Sequence, residues 1–327
     1  MPAVSLYPDV PPFHRFMLPV SNGHVLHVEQ WGSSSGLPAL VLHGGPGSGC
    51  SPLLRRFFDP ARYHVVCVDQ RGAGRSRPAG GIVHNTTGHL VADLAQLRRH
   101  LRWPRWLVAG GSWGATLALA YAAAEPQAVA ALLLRAVFLA RPQDITGFFD
   151  GGERAAAWAP LRALLPGGAA LPAAGLPAAL AQAFDAARES DGDHVRALAL
   201  AWRQAESRLA GEAPGEAPEG AALDALVQRY RVQSHYLRAG CWLQSPPLLA
   251  RCAGVPAVPT LLLHGTEDRV CPPEGAAALH AALPQAALHW VAGAGHDPTH
   301  PAMVSAMVGA LDRYATHGAL DITGGPV

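Results

Sequence analysis

Apolar residues along this chain switch between two periods, and the switches mark its elements. Ala39-Leu40-Val41-Leu42, Val65-Val66-Cys67-Val68 and Ala131-Leu132-Leu133-Leu134 are short unbroken apolar runs, each ended by a turn. That is the pattern of parallel strands buried on both faces. Val25-Leu26-His27-Val28-Glu29 alternates instead and reads as a half-exposed strand. Between Thr86 and Leu101, apolar Leu90, Val91, Leu94, Leu97 and Leu101 recur at helical spacing, with Thr86 or Thr87 as N-cap. Trp106-Leu107-Val108-Ala109 is a further strand, Gly110-Gly111-Ser112-Trp113-Gly114 a glycine-pinched turn, and Ala115 to Tyr121 an apolar helix. Strand and helix alternate. The alternation predicts an open α/β sheet, mostly parallel and flanked by helices, with its ligand crevice at the carboxyl ends of the strands.

The pattern changes at about Arg141. Alanine and proline dominate as far as Leu180, strand signals vanish, and amphipathic helical stretches follow near His194 to Leu209 and Leu223 to Leu237. Gly211 to Pro218 is a tandem low-complexity repeat and reads as a solvated loop. After about Pro246 strands return, in Thr260-Leu261-Leu262-Leu263 and Ala287-Leu288-His289-Trp290-Val291, and a helix from Pro301 to Tyr314 closes the chain. The expected organisation is an α/β core in two parts, residues 1–140 and 246–327, interrupted by an all-helical lid at 141–245.

Composition narrows the class without changing this picture. A hydrophobic content of 50%, a charged content of 15% and a formal net charge of +1 describe a globular chain with ample core. They give no electrostatic case for nucleic acid or an anionic membrane. No apolar run reaches the length of a membrane-spanning helix. Met1-Pro2-Ala3-Val4-Ser5 has neither the basic start nor the apolar stretch of a secretion signal. Five scattered cysteines form neither a metal knuckle nor a disulfide framework. A cytoplasmic protein with reduced thiols is expected. Oligomeric state leaves no signal in the sequence.

The chemistry concentrates at strand ends. A serine on a strand-to-helix elbow stands out of the sheet at a helix N-terminus, where the dipole favours developing negative charge. Its hydroxyl is a poor nucleophile at neutral pH and needs a base, an orienting carboxylate and an oxyanion hole. Thr260–Leu263 runs into His264-Gly265-Thr266-Glu267-Asp268, and Ala287–Val291 runs into Ala292-Gly293-Ala294-Gly295-His296. The order Ser112, Asp268, His296 resembles the Ser…Asp/Glu…His order of α/β-hydrolases. Glu267 is the rival acid, and Asp268 is preferred. Most of the 16 histidines have structural or surface roles, and His300 is expected to cap the closing helix. His43-Gly44-Gly45-Pro46-Gly47 follows the strand Ala39–Leu42, where glycine lets backbone N–H groups approach a substrate carbonyl. The Gly45 amide, in preference to that of Gly44, is expected to join the N–H of Trp113 in the oxyanion hole.

Other chemistries fit less well. Gly72-Ala73-Gly74-Arg75-Ser76-Arg77 lacks the third glycine of a dinucleotide fingerprint. No His-Glu-x-x-His occurs, and Pro298 keeps His296 and His300 from sharing a helical face as metal ligands. Asp69 and Arg71 are expected to organise a turn and the lid hinge.

HGGPGSGCSP (His43 to Pro52), FFDPARY (Phe57 to Tyr63), DQRGAGRSRP (Asp69 to Pro78), Asn85-Thr86-Thr87, GGSWG and LALAYA (Leu117 to Ala122) carry a wider likeness. In these segments the chain resembles the prolyl aminopeptidases, or proline iminopeptidases, serine peptidases of the α/β-hydrolase superfamily. The likeness runs from Leu6-Tyr7-Pro8 to the C-terminal helix. It implies an α/β-hydrolase fold with a helical lid and an enzyme that removes N-terminal proline from peptides without metal or cofactor. In the family, lid glutamates bind the free amine. One lies in a Trp-Glu pair that aligns with Ala205-Glu206, keeping the carboxylate and losing the tryptophan. The other lies in a stretch that aligns with Arg231 to Leu237, where Gln233 replaces glutamate. Phe138 and Phe149 match positions that wall a proline ring. The expected partner is a small peptide or small acyl substrate. An esterase or amidase of small acyl substrates on the same fold is the competing reading. A non-catalytic binding protein fits poorly with an intact triad and oxyanion loop.

Overall fold

The computed structural model describes residues 5–186, 192–212 and 215–322. Met1 to Val4 of the N-terminal reading and Ala213-Pro214 of the low-complexity repeat lie outside the described residues. Among the described residues eight strands form one sheet: β1 (His14–Pro19), β2 (Val25–Gly32), β3 (Leu37–Leu42), β4 (Tyr63–Val68), β5 (Trp106–Gly111), β6 (Val129–Arg135), β7 (Thr260–Gly265) and β8 (Ala287–Val291). Their spatial order is β1-β2-β4-β3-β5-β6-β7-β8. β1 and β2 form an antiparallel hairpin, β2 also pairs antiparallel with β4, and every later pairing is parallel.

The unbroken apolar runs are explained by helices on both faces. In β3 to β7, Leu40, Leu42, Val66, Val68, Val108, Leu132, Leu134 and Leu262 face one cluster of buried side chains. Ala39, Val41, Val65, Cys67, Leu107, Ala109, Ala131, Leu133, Leu261 and Leu263 face another. The first cluster is covered by α2 (Thr87–His100), α3 (Trp113–Ala124) and α10 (Glu274–Ala282). The second is covered by α11 (Pro301–His317) and, at one end, by the short α1 (Pro52–Arg55). Thr86 is the N-cap of α2, its side chain accepting from His89 N at 3.4 Å. His300 stands at the N-cap position of α11, yet its side chain makes no capping hydrogen bond.

The periodicity marks β2 but not β1, its hairpin partner. His14 to Pro19 is an edge strand with four of its six residues exposed, so it shows no core-facing stripe. Between β1 and β2 the chain turns at Asn22-Gly23, both at positive φ (59° and 75°), which is favourable for asparagine and glycine.

Between β6 and β7, which are neighbours in the sheet, the chain inserts α4 (Pro142–Phe148), α5 (Gly152–Ala163), α6 (Leu176–Ala186), α7 (Gly192–Ala210) and α8 (Gly220–Arg238), followed by the short α9 (Leu248–Arg251). These helices bury an apolar cluster of their own around Phe149, Trp158, Leu180, Phe184, Leu198 and Trp202. α8 faces both ways. Its Tyr230 and Leu237 belong to that cluster, whereas Val232 and Tyr236 pack into the core. Tyr236 donates its hydroxyl to Asn85 Oδ1 at 2.8 Å, which ties the inserted helices to the loop before α2.

Candidate active site

The elbow after β5 is built by close approach. A Cβ at Gly110 would come within 2.3 Å of Gly114 O, and one at Gly114 within 2.3 Å of Leu42 O. Only glycine fits at either position. Between them Ser112 is held at φ 56°, ψ −125°, a region that costs a non-glycine residue about 1–3 kcal/mol. The strain turns its side chain out at the N-terminus of α3. The first amides of that helix, Trp113 among them, have no intrahelical acceptor.

His296 and Asp268 meet on the loops after β8 and β7. His296 Nδ1 lies 2.9 Å from Asp268 Oδ2 and 3.1 Å from Oδ1. Asp268 is buried, and its Oδ1 also accepts from the amides of Val270 (2.9 Å) and Cys271 (2.8 Å). Glu267 is exposed, so the buried acid beside the imidazole is Asp268. Burial pushes the Asp268 carboxyl pKa up, but the His296 charge and hydrogen bond and the Cys271 amide hold it below the usual range. For His296 burial works in the lowering direction. Asp268 and the Cys271 sulfur, by charge and hydrogen bond, outweigh it and raise the imidazole pKa. The ionised carboxylate fixes the proton on Nδ1 and leaves Nε2 as the basic nitrogen. Ser112 Oγ makes its polar contact with Cys271 Sγ, at 3.8 Å.

The glycine loop after β3 is locked to the elbow through a residue the motif reading passed over. Gln70 N donates to His43 Nε2 at 3.0 Å, Gln70 Nε2 donates to His43 O at 3.1 Å, and Gln70 Oε1 accepts from Trp113 Nε1 at 2.8 Å. His43 Nε2 therefore accepts and Nδ1 carries the proton, facing Gly44 O at 2.9 Å. Burial lowers the pKa of this ring, consistent with a neutral structural imidazole. A Cβ on Gly44 would lie 3.8 Å from Ser112 Cβ, so the loop passes beside the serine of the elbow.

A cavity of about 360 Å³ is lined by Gly44, Gly45, Ser112, Phe138, Glu206, Gln233, Cys271 and His296. Its volume suits a small ligand. Glu206 is no solvated helix residue. Its Oε1 accepts from Trp202 Nε1 (3.0 Å) and Gln233 Nε2 (2.8 Å), and its Oε2 from Arg229 (2.9 Å) and the Tyr230 hydroxyl (2.9 Å). The tryptophan missing at 205 is supplied one turn earlier on α7, from Trp202.

Two expectations need correction. Phe149 does not line the cavity. It is fully buried among Phe148, Trp158 and Trp202, and Phe148 stands on the wall instead. Neighbouring positions at a helix end point about 100° apart, so one ring faces the cavity and the next the core of the inserted helices. Nor do Asp69 and Arg71 hinge the lid. Asp69 accepts from the Cys50 and Arg75 amides at 2.7 and 2.9 Å. Arg71 forks onto Asp93 at 2.6 and 2.7 Å and reaches His84 O and Ser21. These side-chain partners all belong to the core, and the link to the inserted helices runs instead through the Arg71 carbonyl, which accepts at 3.0 Å from Asn85, the partner of Tyr236.

Three further contributors carried no signal beyond residue type. Arg135, buried at the end of β6, donates to His296 O at 2.7 Å and steadies the histidine loop. His264 bridges Val137 N (3.1 Å) and Cys271 O (2.8 Å) beneath the acid turn. Cys271 places its thiol between serine and histidine. Among the described residues no group of three or more His, Cys, Asp or Glu side chains is arranged to hold a metal ion, and no helix is long and apolar enough to cross a membrane.

Comparison with known proteins agrees with this geometry. Residues 38–300 match the family described as alpha/beta hydrolase fold. The chain is 38% identical over 325 residues to the proline iminopeptidase of Xylella fastidiosa, covering 95% of this chain and 99% of that one. It is also 38% identical over 316 residues to the proline iminopeptidase of Arabidopsis thaliana, covering 94% of this chain and 82% of the relative. Among solved structures, the crystal structure of VinJ matches with a TM-score of 0.64 at 22% identity, over 92% of this chain and 99% of that one. A likeness at that identity concerns the fold.

Proposed function

The chain belongs to the proline iminopeptidase family of α/β-hydrolases, and from that premise we propose how it works as a serine hydrolase that releases N-terminal proline from small peptides. Ser112 Oγ attacks the prolyl carbonyl and passes its proton to His296 Nε2. The tetrahedral oxyanion is held by the amides of Trp113 and Gly45, with Gly44 beside them. His296 then protonates the departing peptide amine, leaving a prolyl ester on Ser112. Water, deprotonated by His296, hydrolyses that ester and frees proline and the serine hydroxyl. Asp268 keeps the imidazole in the productive tautomer throughout. Ser112 Oγ rests against Cys271 Sγ, and its hydrogen bond to His296 forms when substrate binds, since catalytic hydrogen bonds are often incomplete in the free enzyme.

The lid, residues 141–245, supplies the specificity end of the site. Gln233, oriented by its hydrogen bond to Glu206, receives the proline amine, and Phe138 and Phe148 wall its ring. One observation carries this reading: a single cavity is lined by Ser112, His296 and a lid carboxylate. The test is a side-by-side assay of proline arylamide, alanine arylamide and a short-chain aryl ester. The proline arylamide is expected to be cleaved with the highest kcat/KM of the two amides and to resist cleavage once N-acetylated. Faster cleavage of the aryl ester, unaffected by Glu206→Gln, would favour an esterase instead.

A further inference from the structure

An ionised carboxylate offers about four lone-pair sites, and Glu206 has four donors on it already: Trp202, Gln233, Arg229 and Tyr230. Three of the four are fixed. Trp202 and Tyr230 are fully buried and stacked at 4.7 Å, and Gln233 is 4% exposed. The fourth is a guanidinium, whose charge persists at any working pH. Glu206 therefore meets the cavity already paired with a cation. Because the carboxylate can only accept, Gln233 must turn its NH2 towards it and its Oε1 away. That oxygen is buried without a partner on a residue of the cavity wall.

A protonated N-terminal proline brings two N–H groups and a charge. It needs two acceptors and an anion, and burying its charge without one is strongly unfavourable. A neutral proline amine brings one N–H and needs one acceptor. Among the described residues, Gln233 Oε1 is the buried side-chain acceptor that this wall holds without a partner, and Arg203 and Glu212, which also line it, add one charge of each sign. Resting on the aminopeptidase reading above, we propose that Arg229 is a specificity-determining residue. Its guanidinium occupies the place of a substrate ammonium on Glu206, so the pocket is charge-balanced and admits N-terminal proline as the neutral amine, hydrogen-bonded to Gln233 Oε1. The glutamine at 233 acts in the same direction, since a carboxylate there would add a second negative charge for Arg229 to leave unbalanced.

The test compares kcat/KM for a proline arylamide with that for the isosteric cyclopentanecarboxylic arylamide, which lacks the nitrogen. The ratio cancels the titration of His296. Measured over about pH 6–10, it spans the ~8 pKa of a peptide α-amino group. In the wild type the ratio should climb about tenfold per pH unit below the amine pKa and then level off. Arg229→Met should raise the ratio at the acid end by about tenfold or more and remove the climb, because Glu206 regains a charge to offer. Arg229→Lys should keep the wild-type profile, and thermal melting checks that each variant folds. If the methionine variant does not fold, the wild-type and lysine profiles decide. A wild-type ratio that is flat or falls with pH, or a folded methionine variant with the wild-type profile, overturns the proposal while leaving the aminopeptidase reading intact. Cleavage of aryl esters but of neither arylamide removes that reading and this proposal with it.

Discussion

Asp268→Asn separates orientation of the base from maintenance of the fold. The asparagine carbonyl can keep accepting from the Val270 and Cys271 amides, which both approach Oδ1 at 2.9 and 2.8 Å. Its NH2 then takes the place of Oδ2, 2.9 Å from His296 Nδ1. Two donors cannot bond across that contact, and the carbonyl at the Oδ1 position, 3.1 Å from Nδ1, already accepts from two amides, so the ring moves its proton to Nε2 and accepts at Nδ1. The nitrogen that should take the serine proton then carries one. Trapping the base in the wrong tautomer costs about 10,000-fold in kcat, which is about 5.5 kcal/mol of barrier. Stability should change far less, by about 1.5–3 kcal/mol, the scale of one hydrogen bond to a charged group. The assay is kcat and KM on proline arylamide beside thermal unfolding, with Glu267→Gln in parallel. A folded Asp268→Asn enzyme within tenfold of wild type, or a crippled Glu267→Gln enzyme, would refute the assignment.

Three further outcomes follow from the geometry. His296 acts as a base only when neutral, and its pKa is raised by Asp268 and Cys271. kcat/KM on a non-titrating arylamide should therefore fall as pH drops through a value above the ~6.5 of free imidazole. Cys271→Ala removes one raising contact and should move that acid limb to lower pH; a limb that stays in place contradicts this. Phe148→Ala should raise KM for proline arylamide several-fold with little loss of stability. Phe149→Ala should destabilise the fold by about 3–5 kcal/mol with KM little changed, and the reverse pattern would show that the wall residue is misassigned.

Legibility in the sequence followed the reach of each physical signal. Strands β3 to β7 were readable because both of their faces are buried, which forces unbroken apolar runs such as Ala39–Leu42. β1 has one weakly covered face, and its only local mark was Asn22-Gly23 between two alternating segments, a hairpin cue the periodicity reading passed over. Glycines at 110 and 114 announced the elbow because backbone contact at 2.3 Å admits nothing larger. The order of Asp268 and His296 along the chain placed them on adjacent strand-end loops. Gln70 was hidden because its role depends on three contacts with two distant residues, His43 and Trp113. The same holds for Arg135, whose side chain reaches a backbone oxygen 161 positions away. In the inserted helices, register decides which of two adjacent phenylalanines faces the cavity, and the alanine-rich sequence around 141–180 fixes register poorly. Trp202 could have been found by looking one helical turn before Glu206.

The central claim is an acyl-enzyme on Ser112, and Cys271, whose sulfur lies 3.8 Å from Ser112 Oγ, is the rival nucleophile. The most direct measurement is covalent labelling with a proline-derived aryl phosphonate, followed by mass spectrometry of the modified peptide. The account predicts one label per chain, on Ser112, with loss of activity in proportion to labelling and no reaction in Ser112→Ala. Labelling on Cys271, or labelling of Ser112→Ala at the wild-type rate, would contradict it.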